Sequence, residues 1–157
     1  MDCFYEQFQT KDYHRIEKII NILEKVSLAI LILFIAMLNI AGAIFFALVY
    51  FGVSLLSRQL IVEYEYELTG DELSICKIMN KSKRKELGSF NIKEISSVKT
   101  LEKLNGNTKF IKAYLSDSGI KPMVYVVNTS KGVTGFQLAL DEKLLDLIKK
   151  VNPLVFY

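Results

Sequence analysis

From Val26 to Leu56 the chain reads VSLAILILFIAMLNIAGAIFFALVYFGVSLL, 31 positions without a charged residue. About 18 to 20 apolar residues suffice to cross a bilayer core, so this run spans or deeply enters a membrane. A secretory signal is a poor reading: its apolar region is about 7 to 15 residues long, close to the N-terminus and followed by a small-residue cleavage site. One straight helix over the whole run would be about 46 Å long against a hydrocarbon thickness of about 30 Å, and full burial would demand a tilt near ~50°. The centre, Asn39 to Ala43, supplies a polar side chain and a glycine where the chain can turn back. The expected arrangement is therefore a tight helical hairpin, about Ile22 to Ile40 and Ala43 to Arg58, with one tilted helix as the alternative. Glu24 and Lys25 then enter the interface, the lysine by snorkelling. Ala29, Ala36, Ala43, Ala47 and Gly52 give the two arms small contact positions.

Charge sets the orientation. Lys11, Arg15, Lys18 and Lys25 precede the run, Arg58 follows it, and the central turn carries none, which puts the N-terminus in the cytoplasm by the positive-inside rule. Two arms return the remaining chain to the cytoplasm; one arm exports it. The expected localisation is the plasma membrane, multi-pass, with the N-terminus and the C-terminal domain both cytoplasmic. Ahead of the membrane, residues 1–25 read as an amphipathic interfacial helix: Ile16, Ile19, Ile20 and Leu23 share a face, Glu17 and Lys18 turn elsewhere, and Phe4, Tyr5 and Phe8 add an aromatic foot.

After Leu60 the period changes to two. In VEYEYEL, Val62, Tyr64, Tyr66 and Leu68 face one way and Glu63, Glu65 and Glu67 the other, the pattern of a half-buried strand with its acids toward water. A catalytic carboxylate pair would need one member buried to raise its pKa, and strict alternation argues against that. Turn signals at TGDE, NKSKRK, NGN (Asn105 to Asn107), DSG and TSKG separate further strand patterns in ELSICKIMN, KELGSF, ISSVKTL, KFIKAYLS, PMVYVVN and VTGFQLAL, about seven short strands in all. The ending, DEKLLDLIKKVNP, is a helix over 141–152: Asp141 caps it, Leu144, Leu145, Ile148 and Val151 share a face, and Pro153 stops it. The expected fold class is α+β, an N-terminal membrane hairpin (26–58) followed by a small antiparallel PH-like β-barrel (62–157) capped by a C-terminal helix.

The segment VEYEYELTGDELSICKI, directly after a two-arm hydrophobic stretch, resembles the start of bacterial PH-like domains tethered to membranes. FYEQ, VEYEYELT, KSKRK and DEKLLDLIKKVNPLVF together resemble an uncharacterised family of small Gram-positive, Clostridia-type membrane proteins, known only as a domain of unknown function. The resemblance covers nearly the whole chain and rests on structural motifs. It implies a fold and a place, and brings no catalytic residues with it.

Chemistry is sparse. No phosphate loop, nucleophile elbow or paired metal ligands occur, and Cys3, Cys76 and the single His14 lack metal or redox spacing, so no cofactor, metal or catalytic residue is expected. Residues 62–157 carry fifteen Lys/Arg against twelve Asp/Glu, too even a balance for nucleic acid. The densest charge cluster, Lys81, Lys83, Arg84 and Lys85, suits contact with anionic lipid headgroups at about 1 kcal/mol per cation. The first inter-strand turn, where many PH domains hold inositol lipids, is the acidic TGDE, which disfavours that ligand. The expected function is a non-enzymatic, membrane-anchored module that presents a protein- or lipid-binding surface. The alternative is an accessory subunit assembling through its membrane helices. The expected partners are the bilayer and an unidentified protein.

Overall fold

A computed structural model describes residues 4–100, 109–129 and 132–153. It divides into two compact units: the segments 1–11, 63–78 and 84–157 form one, and Asp12–Val62 with Met79–Lys83 form the other.

In the helical unit, α1 (His14–Ala36) and α2 (Ile40–Leu60) pack along their lengths. Both are long and apolar enough to cross a membrane. With 23 and 21 residues they extend about 34 Å and 31 Å. The hairpin is thus formed, with arms longer than expected and its turn three residues earlier, at 37–39. Leu38, at φ 55°, ends α1. Its N–H bonds to Ile35 O, and Asn39 N–H bonds to Phe34 O at 2.9 Å. That pair of bonds satisfies the last carbonyls of α1. Asn39 then opens α2, its Oδ1 accepting from Gly42 N–H at 3.0 Å. Gly42 has a role other than turning: a Cβ there would lie 2.3 Å from the Phe34 ring, which stacks on Phe46 at 5.4 Å between centroids. The inner faces combine that aromatic pair and the buried Ile20 with two buried serines, Ser27 and Ser57. Large apolar side chains point out, among them Ile32 (59% exposed), Leu48 (67%) and Phe51 (60%).

In the sheet unit, β1 (Phe4–Gln9), β2 (Val62–Thr69), β3 (Glu72–Met79) and β4 (Lys83–Asn91) form one sheet in that order. The second contains β5 (Ile95–Thr100), β6 (Lys109–Lys112), β7 (Met123–Thr129) and β8 (Gly132–Leu138), in the order β5-β7-β8-β6. The seven strands expected after the membrane segment all form. The eighth, β1, replaces the helix expected at the very start of the chain, since α1 begins only at His14. Its alternation, Tyr5, Gln7 and Gln9 inward against Phe4, Glu6 and Phe8 outward, puts amides rather than apolar groups inside.

Two features of the expected barrel are corrected. The sheets do not close, because a 3-10 turn at Ile92–Glu94, capped by Asn91, carries the chain from β4 to β5 without pairing them. The strands are not all antiparallel, because β6 joins the edge of β8 in parallel. The core between the sheets is filled by Tyr66, Leu68, Leu73, Ile75, Ile92, Val124, Val127 and Leu138, all under 2% exposed. Phe90 of β4 meets Phe136 of β8 at 4.7 Å.

The terminal helix α3 (Glu142–Val151) forms as expected, with Asp141 accepting from Leu144 N–H at 2.7 Å and Leu144 and Ile148 fully buried. Asn152 ties its end to Ile92 O and Ile95 O at 3.0 and 3.1 Å. The expected Asn105–Asn107 turn, the centre of the TSKG turn, Cys3 and the final LVF lie outside the described residues.

Candidate functional site

The basic turn between β3 and β4 is built by Asn80 and Lys81, both at positive φ (50° and 52°), the conformation of a two-residue hairpin turn. Ser82 N–H closes it onto Met79 O at 3.3 Å, and Asn80 N–H bonds to Ile61 O at 2.8 Å, fastening the turn to the chain leaving α2. The four cations of this stretch then part company. Lys81 forms an ion pair with Glu17, whose side chain is only 26% exposed. Arg84 lies 3.5 Å from Glu65 Oε2. Lys83 and Lys85 are exposed, and strand alternation directs them opposite to Arg84. All four cations of the expected cluster are exposed, and two of them, Lys81 and Arg84, are also engaged by carboxylates.

The glutamate row of β2 is likewise divided. Glu63 and Glu67 are half-buried, but Glu65 is 4% exposed, contrary to the expectation that all three face water. It lies mid-sheet, with Phe8 of β1 opposite it in the ladder and Arg84 over it. Its Oε2 makes an ion pair without a hydrogen bond. Glu6, Glu65 and Glu67 bring carboxylate oxygens within 4.8 Å of one another, the spacing of a hard-cation ligand set, and Arg84 supplies the neighbouring positive charge. Beside them Cys76 is half-buried, and its thiol is pushed up from its ordinary value by burial and then by Glu65 and Glu86, with Arg84 opposing. A thiol so placed is a weak nucleophile.

Sequence reasoning missed the polar lock on β1. Gln7 donates to Ala139 O at 3.0 Å and accepts from Asp141 N–H at 2.9 Å. Gln9 donates to the same carbonyl at 2.5 Å and accepts from Leu115 N–H at 3.0 Å. Tyr5 donates to Asp141 Oδ2 at 2.7 Å, a bond that pushes its own pKa up. The signal was present in FYEQFQ as period-two alternation, with its polarity inverted.

Two facing four-stranded sheets with a packed terminal helix are consistent with a PH-like fold, carried on a chain with two N-terminal apolar helices. The chain belongs to the family described as a bacterial PH-like domain, DUF6106, whose model matches residues 1–157. No curated protein and no solved structure matches it.

Proposed function

We propose that the chain is a non-enzymatic module, anchored in the plasma membrane by its helical hairpin, that presents a protein- or lipid-binding PH-like surface at the cytoplasmic face. The observation that carries this reading is the β1–β2 pair: six residues before the hairpin are in register with residues after it, from Phe4↔Thr69 to Gln9↔Tyr64. Strands hydrogen-bonded to each other lie on one side of a membrane, so this pairing supports two arms and disfavours one tilted span. The outward Ile, Leu and Phe side chains of both helices support lipid as their surroundings. The lysines and arginines before and after the hairpin support the cytoplasm as the shared side.

Lys83 and Lys85 are the cations best placed to touch anionic headgroups, with Lys81 and Arg84 contributing less because carboxylates hold them. PH-like domains commonly bind lipids or proteins, which supports a binding module. Alkaline extraction tests the anchor: the chain is expected to stay in the membrane pellet, and its release into the supernatant would overturn the reading. For the headgroup contact, Lys83→Glu with Lys85→Glu should reduce the excess of binding to anionic over neutral vesicles; an undiminished excess removes these lysines from the site.

A further inference from the structure

At the foot of the hairpin, within the helical unit, lies a polar cleft of about 180 Å³ whose polar lining is Glu17, Asn21, Glu24, Ser57, Asn80 and Lys81. Ile20 forms part of its wall and also of an adjoining groove of about 190 Å³, lined by isoleucine, leucine and valine alone. We propose that this composite site holds a phospholipid with a primary-amine headgroup, a phosphatidylethanolamine: the amine in the cleft, the start of an acyl chain in the groove. The inference rests on the membrane reading above and names a ligand for it.

Glu17 and Glu24 are two turns apart on the α1 face that carries Ile20, and Asn21 lies between them. Glu24 sits two residues before the charge-free run, where a carboxylate is costly and marks a functional position. Lys81 pairs with Glu17, and among the lining residues two carboxylates face one ammonium, a net charge of one negative. A cation is the complementary occupant. A primary ammonium brings three donors, and Glu24, Asn21 and Ser57 supply acceptors for them. The headgroup phosphate then falls beside Lys81 and the Asn80 amide. A choline headgroup has no N–H to donate, and a purely anionic headgroup meets like charge. The wholly apolar groove beside the cleft calls for an occupant with a hydrocarbon part.

Native mass spectrometry of the full chain in detergent tests this, with phosphatidylethanolamine, phosphatidylcholine and phosphatidylglycerol of identical acyl chains. Phosphatidylethanolamine should remain bound about tenfold more tightly than either of the others, the ratio expected of one charge-assisted hydrogen bond. Glu24→Gln, nearly isosteric, should abolish that preference, whereas Glu86→Gln on β4 should keep it. Equal retention of the three lipids, or an unchanged preference in Glu24→Gln with native circular dichroism, overturns the proposal. Soluble phosphoethanolamine should leave the lipid in place; displacement by it would assign the cleft to a free metabolite and overturn the lipid assignment. A chain that stays in the membrane pellet but lacks headgroup selectivity contradicts this site alone, whereas release from the pellet contradicts the membrane reading beneath it.

Discussion

The two units of this chain are built on opposite plans. The sheet unit buries its apolar side chains, Leu73 and Ile75 at 0% exposure, and covers them with two sheets and a helix. The helical unit turns most of its large apolar groups outward and keeps only a small apolar set inside, with Ile20 buried and Phe34 stacked on Phe46 beside serines and a glycine. In water only the first plan gains from the hydrophobic effect. In lipid, where the surroundings are as apolar as leucine, the second gains from close packing and satisfied polar groups. The same kind of substitution should thus have very different costs in the two units.

The largest contrast comes from removing an apolar side chain in each. Ile75→Ala should cost about 2–5 kcal/mol in chemical unfolding of the full chain in detergent. Leu48→Ala, in an outward position of α2, should change stability by less than about 0.5 kcal/mol. Comparable losses would mean that the hairpin is buried like a soluble core. Next in size is Gln9→Ala, which removes the acceptor of Leu115 N–H and one of the two side-chain donors to Ala139 O, Gln7 keeping the other, and should cost about 1–3 kcal/mol, visible as early hydrogen exchange across β1. In the hairpin, Gly42→Ala forces the Phe34 ring from its stack and should cost about 1–3 kcal/mol. Leu38→Gly, which removes the left-handed strain at the tip, should gain about 1 kcal/mol.

A titration sharpens the same comparison. Burial pushes the Tyr66 and Tyr125 hydroxyls above their ordinary value of 10.0. A folded-state pKa above the unfolded one means that the neutral form is favoured by folding. Stability from these tyrosines is therefore complete below about pH 10 and is lost as pH rises beyond it. The sheet unit should lose thermal stability there, and Tyr125→Phe should weaken the trend.

What could be read from the sequence follows the same division. Strands β2, β3, β7 and β8 were legible because their inward positions are apolar, as Tyr64, Tyr66 and Leu68 are. Helix α3 announced itself through Asp141 and Pro153. Strand β1 was not legible, because Gln7 and Gln9 find their inward partners at Ala139, Asp141 and Leu115, on distant parts of the chain. The fate of the basic stretch was hidden for the same reason: the carboxylates that hold Lys81 and Arg84 belong to α1 and β2. Alternation told which way Glu65 points, but not that Phe8 and Arg84 would enclose it. Likewise Asn39 caps α2 at the end of a turn that lies earlier than expected, while Gly42 serves the packing of Phe34 and not the turn.

The central claim is that β1 and the remaining sheet unit lie on one side of a membrane that the hairpin enters and leaves. Cys76 is a poor reporter, half-buried with its thiol pushed up. The direct measurement uses Glu6→Cys and, separately, Ser89→Cys, both exposed positions, in a chain with Cys3 and Cys76 replaced by serine. An impermeant maleimide should leave both unlabelled in intact cells and label both after permeabilisation. Labelling of one position and not the other in intact cells would contradict the account.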